Sequence, residues 1–343
     1  MKPAIMMATV ASQHLFRPLP APREVHLWFL FPEDVRDSSL MKIYRNLLSS
    51  DEQKKVLDCS HVKTQNERLL ARTLVRTTLA RYGMVEPSSL RFSTNEFGKP
   101  KVIWPARMED NKIWSPHSLC FNLSHTQSLL ACAVTMNGEV GVDVEESDRK
   151  LSRNLMSLAR RRFSPEEADW LSHFEDSTEQ RRRFMQLWTL KEAYIKALGT
   201  GISKTPLKDF TFALKPCVYA RSYLERAVGF PAHPQAEAIS MKFSSLMSSN
   251  DEPTIPAEKW QFILLQPSPL HIASVCTHVQ QFNSPGENLE GKSVKNISLK
   301  MWRTVPLVED QYLTEGAVAL GISSPASERS VYLSAVSSKN HPL

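Results

Sequence analysis

Two short segments constrain this chain more than any others: Gly141-Val142-Asp143-Val144-Glu145 and Trp188-Thr189-Leu190-Lys191-Glu192-Ala193-Tyr194-Ile195-Lys196. The first alternates in character, and a β-strand sends successive side chains to opposite faces. Val140, Val142 and Val144 then share one face, and Gly141, Asp143 and Glu145 share the other. Asn137-Gly138 lies just before, between two runs that read as strands, 128–136 and 139–145. A type I′ turn needs positive φ at both central positions, which makes Asn-Gly a strong hairpin signal. A hairpin of these two strands is expected. Two carboxylates side by side repel each other. A cation between them removes that penalty, and oxygen ligands of this kind suit Mg²⁺. The competing reading is the exposed polar face of an edge strand, because Asp-x-Glu alone recurs by chance.

Residues 177–199 read as a helix, with Ser177 or Thr178 able to cap its start and Gly199 suited to the position past its end. Phe184, Leu187, Trp188, Ile195 and Leu198 form an apolar stripe at helical spacing. Glu192 borders that stripe, and Lys196 follows it by four residues on the same face. An ordinary Glu–Lys surface pair is the alternative, but a partly buried carboxylate needs a partner or a metal.

Two further segments carry usable chemistry. Phe97-Gly98-Lys99-Pro100 follows the strand-like run 90–94 and is a turn that offers a close backbone and a lysine to a phosphate. Phe121-Asn122-Leu123-Ser124-His125 ends a strand just before the expected hairpin. Ser124 and His125 could donate to phosphate oxygens, although a lone histidine is more often structural.

In this order, Gly98-Lys99-Pro100, Asn122-Leu123-Ser124-His125, Gly141 to Glu145 and Trp188 to Lys196 resemble the motifs of the 4′-phosphopantetheinyl transferases. The likeness is to the large, two-lobed, surfactin-synthetase-activating type and covers roughly residues 24–280. It implies an enzyme that moves the phosphopantetheine arm of coenzyme A onto a serine of an apo acyl carrier protein, releasing adenosine 3′,5′-bisphosphate. It also implies that Asp143, Glu145 and Glu192 bind Mg²⁺. Glu192 would further help deprotonate the serine, and Lys196 would steady charge on the breaking pyrophosphate. Lys99, Pro100, Asn122, Ser124 and His125 would hold coenzyme A, with Lys55 placed for its 3′-phosphate. The serine comes from the partner, which agrees with the lack of a convincing nucleophile motif in the chain.

The implied fold is α+β: two pseudo-related lobes, each a small antiparallel sheet packed with helices, with the site between them. Residues 1–23 are expected to be a flexible leader, 24–137 an N-terminal lobe, and 138–280 a C-terminal lobe with the metal site. Residues 281–343 are expected to be a partly flexible extension, with a strand inside 294–308. Local signals fill in the rest. Residues 24–30 read as a strand, Ser50-x-x-Gln53 as a capping box, and Val62 to Tyr82 as a long helix closed by Gly83. Arg68, Arg72, Arg76 and Arg81 are assigned mostly to its outer face. Ser164-Pro165-Glu166-Glu167 opens another helix. Strands are expected within 207–214 and 259–279, separated by a polar stretch at 230–256.

The net charge of +6 favours acidic partners, among them carrier proteins and polyanionic coenzyme A. The same charge would also fit nucleic acid, so it decides little alone; no nucleic-acid partner is expected, and with no apolar run approaching a membrane span, no membrane either. The five cysteines lack zinc spacing and suit a reducing compartment, the cytosol or alternatively the mitochondrion. A monomer is expected. A metal-dependent nuclease is the first rival reading. It would place its lysine two residues from an acid on a strand, whereas Lys196 follows Glu192 by four on a helix. A carrier-binding protein without catalysis is the second, and the presence of all three candidate metal ligands counts against it.

Overall fold

The computed structural model describes residues 16–104, 107–109, 112–114, 118–149, 154–217, 220–229, 231–244, 255–278, 297–313 and 317–323. Its strands are β1 (Glu24–Leu30), β2 (Arg91–Thr94), β3 (Pro100–Ile103), β4 (Arg107–Glu109), β5 (Lys112–Trp114), β6 (Leu119–His125), β7 (Leu130–Met136) and β8 (Val140–Glu146). They continue with β9 (Phe210–Pro216), β10 (Ala232–Phe243), β11 (Trp260–Ser268), β12 (His271–His278), β13 (Ser298–Val305), β14 (Glu309–Tyr312) and β15 (Val318–Ser323). The helices are α1 (Ser38–Leu47), α2 (Ser50–Leu57), α3 (Val62–Gly83), α4 (Leu155–Arg162), α5 (Pro165–Ser172), α6 (Ser177–Leu198) and α7 (Ala220–Val228).

Two sheets organise the chain, in the orders β14-β13-β1-β7-β6 and β8-β12-β11-β15-β10-β9. Their inner faces meet. Val25, Leu27, Phe29, Ala131 and Ala133 of the first sheet share a core with Val140, Val142, Val144, Ile263 and Val275 of the second, and α7 fills its margin. The outer face of the first sheet, with Trp28, Leu30, Cys132 and Val134, packs on α1, α2 and α3. The outer face of the second, with Phe262, Leu264, Ile272 and Cys276, packs on α4, α5 and α6. The layers therefore run helix, sheet, sheet, helix. This explains why every residue of β1 is buried: both its faces are covered.

The α+β class and the helix-packed sheets are as the sequence implied, but the sheets are mixed. β13 runs parallel to β1, and β15 runs parallel to β10. Both strands come from the segment expected to be an extension. The strand expected within 294–308 is β13, which lies inside the first sheet beside β1, while β15 lies between β11 and β10 in the second. Residues 1–15 of the expected leader lie outside the described residues. Arg17 is anchored, with an ion pair to Asp310 and its guanidinium over the Trp28 and Trp302 rings.

The Asn137-Gly138 hairpin does not form. β7 and β8 belong to different sheets, and β8 pairs with β12. Asn137 takes the expected left-handed φ of 55°, whereas Gly138 is not among the glycines at positive φ. The turn instead carries the chain from one sheet to the other. Asn137 N–H donates to the Ser118 carbonyl, and Gly138 lies tight against the His278 carbonyl.

Several boundaries shift by one residue for local reasons. The capping box is Ser49 with Glu52 rather than Ser50 with Gln53; Gln53 instead donates its amide to the carbonyls of Arg45 and Leu48. The cap of α6 is Asp176, which accepts from Thr178 and Glu179, in place of Ser177 or Thr178. Gly83 stays inside α3, where a side chain would strike the Trp104 ring, and Met84 takes the left-handed turn. Arg76 and Arg81 are not on an outer face; both are buried, paired with Glu52 and Asp310. The stretch expected to separate strands at 230–256 contains β10. A register shift between Ala232 and Glu237 accommodates His233-Pro234-Gln235 before regular pairing resumes.

Candidate functional site

The site is built where α6 lies on the polar face of β8. Gly141 makes this contact possible: a Cβ there would sit 1.9 Å from the Ala193 carbonyl oxygen and 2.5 Å from the Ala197 nitrogen. The helix backbone rests directly on the strand through the small residues Ala193 and Ala197. Asp143 and Glu145 project from the same strand face as Gly141, while Glu192 and Lys196 immediately precede those two alanines in the helix. The close approach therefore brings three acids and one lysine together from two elements.

Electrostatics confirms that these groups share one field. Lys196 Nζ lies 2.6 Å from Asp143 Oδ1 and donates to Ser124 Oγ at 2.7 Å. Arg149 Nη1 lies 2.6 Å from Glu145 Oε1. Among the described residues Glu192 has no hydrogen bond or ion pair of its own. Burial first, then the negative charge of Asp143, pushes its carboxyl up to about 7, with Lys196 opposing and Glu145 adding to the rise. Burial and Asp143 also raise Glu145, against the pull of Arg149 and Lys196. Asp143 Oδ2 is buried without a hydrogen bond. Among the described residues no three His, Cys, Asp or Glu side chains are drawn into a finished metal-holding group. As arranged, Lys196 and Arg149 balance two of the acids.

Asn122 and Ser124 come from β6, across the seam between the sheets. Asn122 Oδ1 accepts from Val142 N–H at 3.0 Å, and Ser124 Oγ accepts from Val144 N–H at 3.2 Å while donating to Asp143 at 2.9 Å. Both side chains are buried and substitute for the missing strand pairing between β6 and β8. Ser124 thus belongs to the acidic cluster. His125, the last residue of β6, is exposed; its ring is held below its ordinary value by burial and then by Lys196, with Glu67 and Asp143 opposing.

Lys99 and Pro100 lie away from the acids, with Lys99 against the C-terminal end of α6. Lys99 Nζ donates to the Ala197 carbonyl at 2.6 Å and pairs with Glu139 at 2.5 Å, and Asn95 donates to the Gly199 carbonyl at 3.0 Å. This turn satisfies the free carbonyls at the C-terminal end of the helix, where positive charge is favoured. Pro100 opens β3 opposite Thr94. Lys55 sits exposed on α2, and among the described residues its side chain has no hydrogen bond or ion pair. Its carbonyl accepts from Arg68 at 3.4 Å.

Two residues of the site region were not singled out from sequence. Lys191 is fully buried; its ammonium lies 2.8 Å from the Glu167 carboxylate and donates to the carbonyls of Leu207 and Phe210 at 2.6 and 2.5 Å. This fixes the rotation of α6 and hence the direction of Glu192. The signal was available, since Lys191 follows Leu187 by four residues on the apolar stripe. Arg149 lies beyond the end of β8, in a stretch where strand alternation says nothing about direction.

The comparisons with known proteins point one way. The family model of the 4′-phosphopantetheinyl transferase superfamily matches residues 139–233, a span that includes all of β8 and α6. The chain is 35% identical over 193 residues to 4′-phosphopantetheinyl transferase HetI of Nostoc, covering 56% of this chain and 75% of that protein. It is 31% identical over 172 residues to 4′-phosphopantetheinyl transferase Sfp of Bacillus subtilis, covering 50% of this chain and 68% of that protein. A phosphopantetheinyl transferase of Thraustochytrium is 30% identical over 165 residues, 45% of this chain and 54% of that protein.

Proposed function

The chain belongs to the 4′-phosphopantetheinyl transferase superfamily, and from that premise we propose that it is a holo-[acyl-carrier-protein] synthase. It transfers the 4′-phosphopantetheine group of coenzyme A to a serine of an apo acyl carrier protein or carrier domain and releases adenosine 3′,5′-bisphosphate. A new bond forms between the serine oxygen and phosphorus, and the bond from that phosphorus to the bridging pyrophosphate oxygen breaks. The single observation that carries the reading is the packing of α6 on Gly141, which gathers Asp143, Glu145, Glu192 and Lys196.

The acidic cluster fits Mg²⁺. Its donors are carboxylate oxygens, the chemistry a hard cation prefers, and one of them, Asp143 Oδ2, is buried with nothing bonded to it. Asp143, Glu145 and Glu192 would hold the ion, and when bound it would supply positive charge to the pyrophosphate oxygens. The remaining work falls to side chains. Glu192 is assigned to accept the serine proton, directly or through water. Lys196 sits where the departing bisphosphate gains charge, and in-line attack at phosphorus depends chiefly on such charge compensation and positioning. Ser124, bonded to Asp143 and Lys196, serves the phosphates of coenzyme A together with His125, Asn122, Lys99 and Pro100. Lys55 is assigned to the 3′-phosphate.

The lobes are taken as 24–137 and 138–280, with the site at their seam, preceded by the 1–23 leader; 281–343 follows and lends β13 and β14 to the first sheet and β15 to the second. The protein acts as a monomer in a reducing compartment, the cytosol or alternatively the mitochondrion. No described helix is long and apolar enough to cross a membrane. The carrier belongs to fatty-acid synthesis, to a reductase of lysine metabolism or to specialised metabolism. Incubation with coenzyme A, Mg²⁺ and a panel of apo carrier proteins, followed by mass measurement, tests the reading. The expected result is a phosphopantetheine mass gain that requires Mg²⁺. A folded protein that binds coenzyme A yet modifies no carrier in the panel would overturn it.

A further inference from the structure

Glu145 carries a guanidinium that the transfer reaction as described leaves without a role. Arg149 Nη1 meets Glu145 Oε1 at 2.6 Å, and the two residues are four apart. The pair is uneven: the Arg149 side chain is 50% exposed and the Glu145 side chain 12%. The arginine therefore reaches in from solvent to a carboxylate that is largely desolvated. Its charge also acts on Glu192, so it faces acids on both β8 and α6. The backbone beneath it is fixed. Arg149 N–H donates to the Glu146 carbonyl at 3.1 Å, and its own carbonyl accepts from Arg181 at 2.7 Å. The side chain can swing while its root stays beside the cluster.

The chemistry of the carboxylate then sets up a competition. A divalent cation bound by Glu145 and Arg149 compete for the same negative charge. The half-exposed guanidinium can leave for water, which opens the carboxylate to a divalent cation. A guanidinium released at that point has five donors in a planar fork, a geometry that matches phosphate oxygens. We propose that Arg149 is a substrate-binding residue that Glu145 holds in place until a divalent cation takes the carboxylate, after which the guanidinium binds a phosphate of the coenzyme A pyrophosphate. This rests on the transferase reading above and adds a residue and an order of events to it.

The inference separates from a merely structural ion pair because removal of the arginine acts in opposite directions on the two ligands. The test uses the full chain and Mn²⁺ as the probe, followed by electron paramagnetic resonance without coenzyme A, and then coenzyme A binding by calorimetry with Mn²⁺ saturating. For Arg149→Ala, Mn²⁺ affinity is expected to tighten about two- to fivefold, since a competing exposed pair is gone. Coenzyme A affinity is expected to weaken about tenfold, the loss of one charge-assisted phosphate contact. Arg149→Lys keeps the charge and lacks the fork. It should bind Mn²⁺ within about twofold of wild type and still bind coenzyme A more weakly. Unchanged or weaker Mn²⁺ binding in Arg149→Ala overturns the competition, and unchanged coenzyme A binding overturns the phosphate role. Asp143→Asn separates the premise from the inference. If it binds Mn²⁺ as wild type does, the metal reading of the cluster has failed, and the proposal with it.

Discussion

Glu192 holds the electrostatic tension of the cluster, because Asp143 has Lys196, Glu145 has Arg149, and Glu192 has no cation of its own among the described residues. Its carboxyl is pushed from 4.5 up to about 7, chiefly by burial and then by Asp143. The folded value lies above the unfolded one, so the folded chain binds this proton more tightly. The resulting stability is fully present below about pH 4.5 and is lost as pH rises through about 7. Without metal, the protein is expected to be less stable at about pH 8 than at about pH 5 by up to ~3 kcal/mol from this group. Glu192→Gln removes the charge and should be more stable than wild type at the higher pH and similar at the lower. Urea melts in the presence of a chelator measure this; a Gln variant no more stable at high pH would show that Glu192 is not strained by its neighbours. The acids themselves were legible in the sequence, since strand alternation and helical spacing fix which way Asp143, Glu145, Glu192 and Lys196 point. Arg149 was not, because it lies past the end of a periodic element. The burial of Asn122 and Ser124 was not legible either, since it depends on a seam between two sheets.

At the scale of elements, the contact between β8 and α6 does the assembling, and it turns on one glycine. With Gly141→Ala, the added methyl would lie 1.9 Å from the Ala193 carbonyl oxygen, a backbone atom that cannot rotate away. The helix must lift, and Glu192 and Lys196 move with it. The expected outcome is a loss of about 1–3 kcal/mol or more, the usual cost of overpacking, together with loss of Mn²⁺ binding. Thermal melting and Mn²⁺ titration check it; a variant with wild-type stability and metal affinity would mean that the close approach is not needed. Element identities were largely readable for a related reason. Residues 24–30, the long helix α3, the Ser164-Pro165 helix start and the helix closed by Gly199 all follow from local patterns. Where the local reading failed, a more distant partner decided. Asp176 takes the cap of α6, Trp104 leaves no room for a side chain at Gly83, and Asn137-Gly138 turns into the second sheet, where β8 pairs with β12.

For the whole molecule, sequence order is a poor guide to sheet order. β13 reaches β1 and β15 reaches β10 in parallel, from far along the chain, and no local pattern encodes such pairings. The surface charge has the same character: runs that look alike in sequence fare differently once folded. Arg182 and Arg183 pair with Glu179, Arg183 also pairs with Glu237, and Arg181 holds the Arg149 carbonyl. Arg160, Arg161 and Arg162 are exposed at the last turn of α4 and, among the described residues, make no ion pair. The second set leaves all three of its charges available to a partner, whereas Arg182 and Arg183 of the first are paired. A chain of net charge +6 steers an acidic carrier toward itself, and such steering is screened over about 10 Å at 0.1 M salt. Reversing Arg160, Arg161 and Arg162 to glutamate is therefore expected to slow association with an apo carrier by about tenfold at low salt and to flatten its salt dependence. Reversing Arg182 and Arg183 should instead lower the melting temperature, because two acids lose their partners. Stopped-flow association rates across a salt series, with melting curves for each variant, distinguish the two sets. Equal salt slopes in wild type and in the Arg160–Arg162 variant would show that this patch does not meet the carrier.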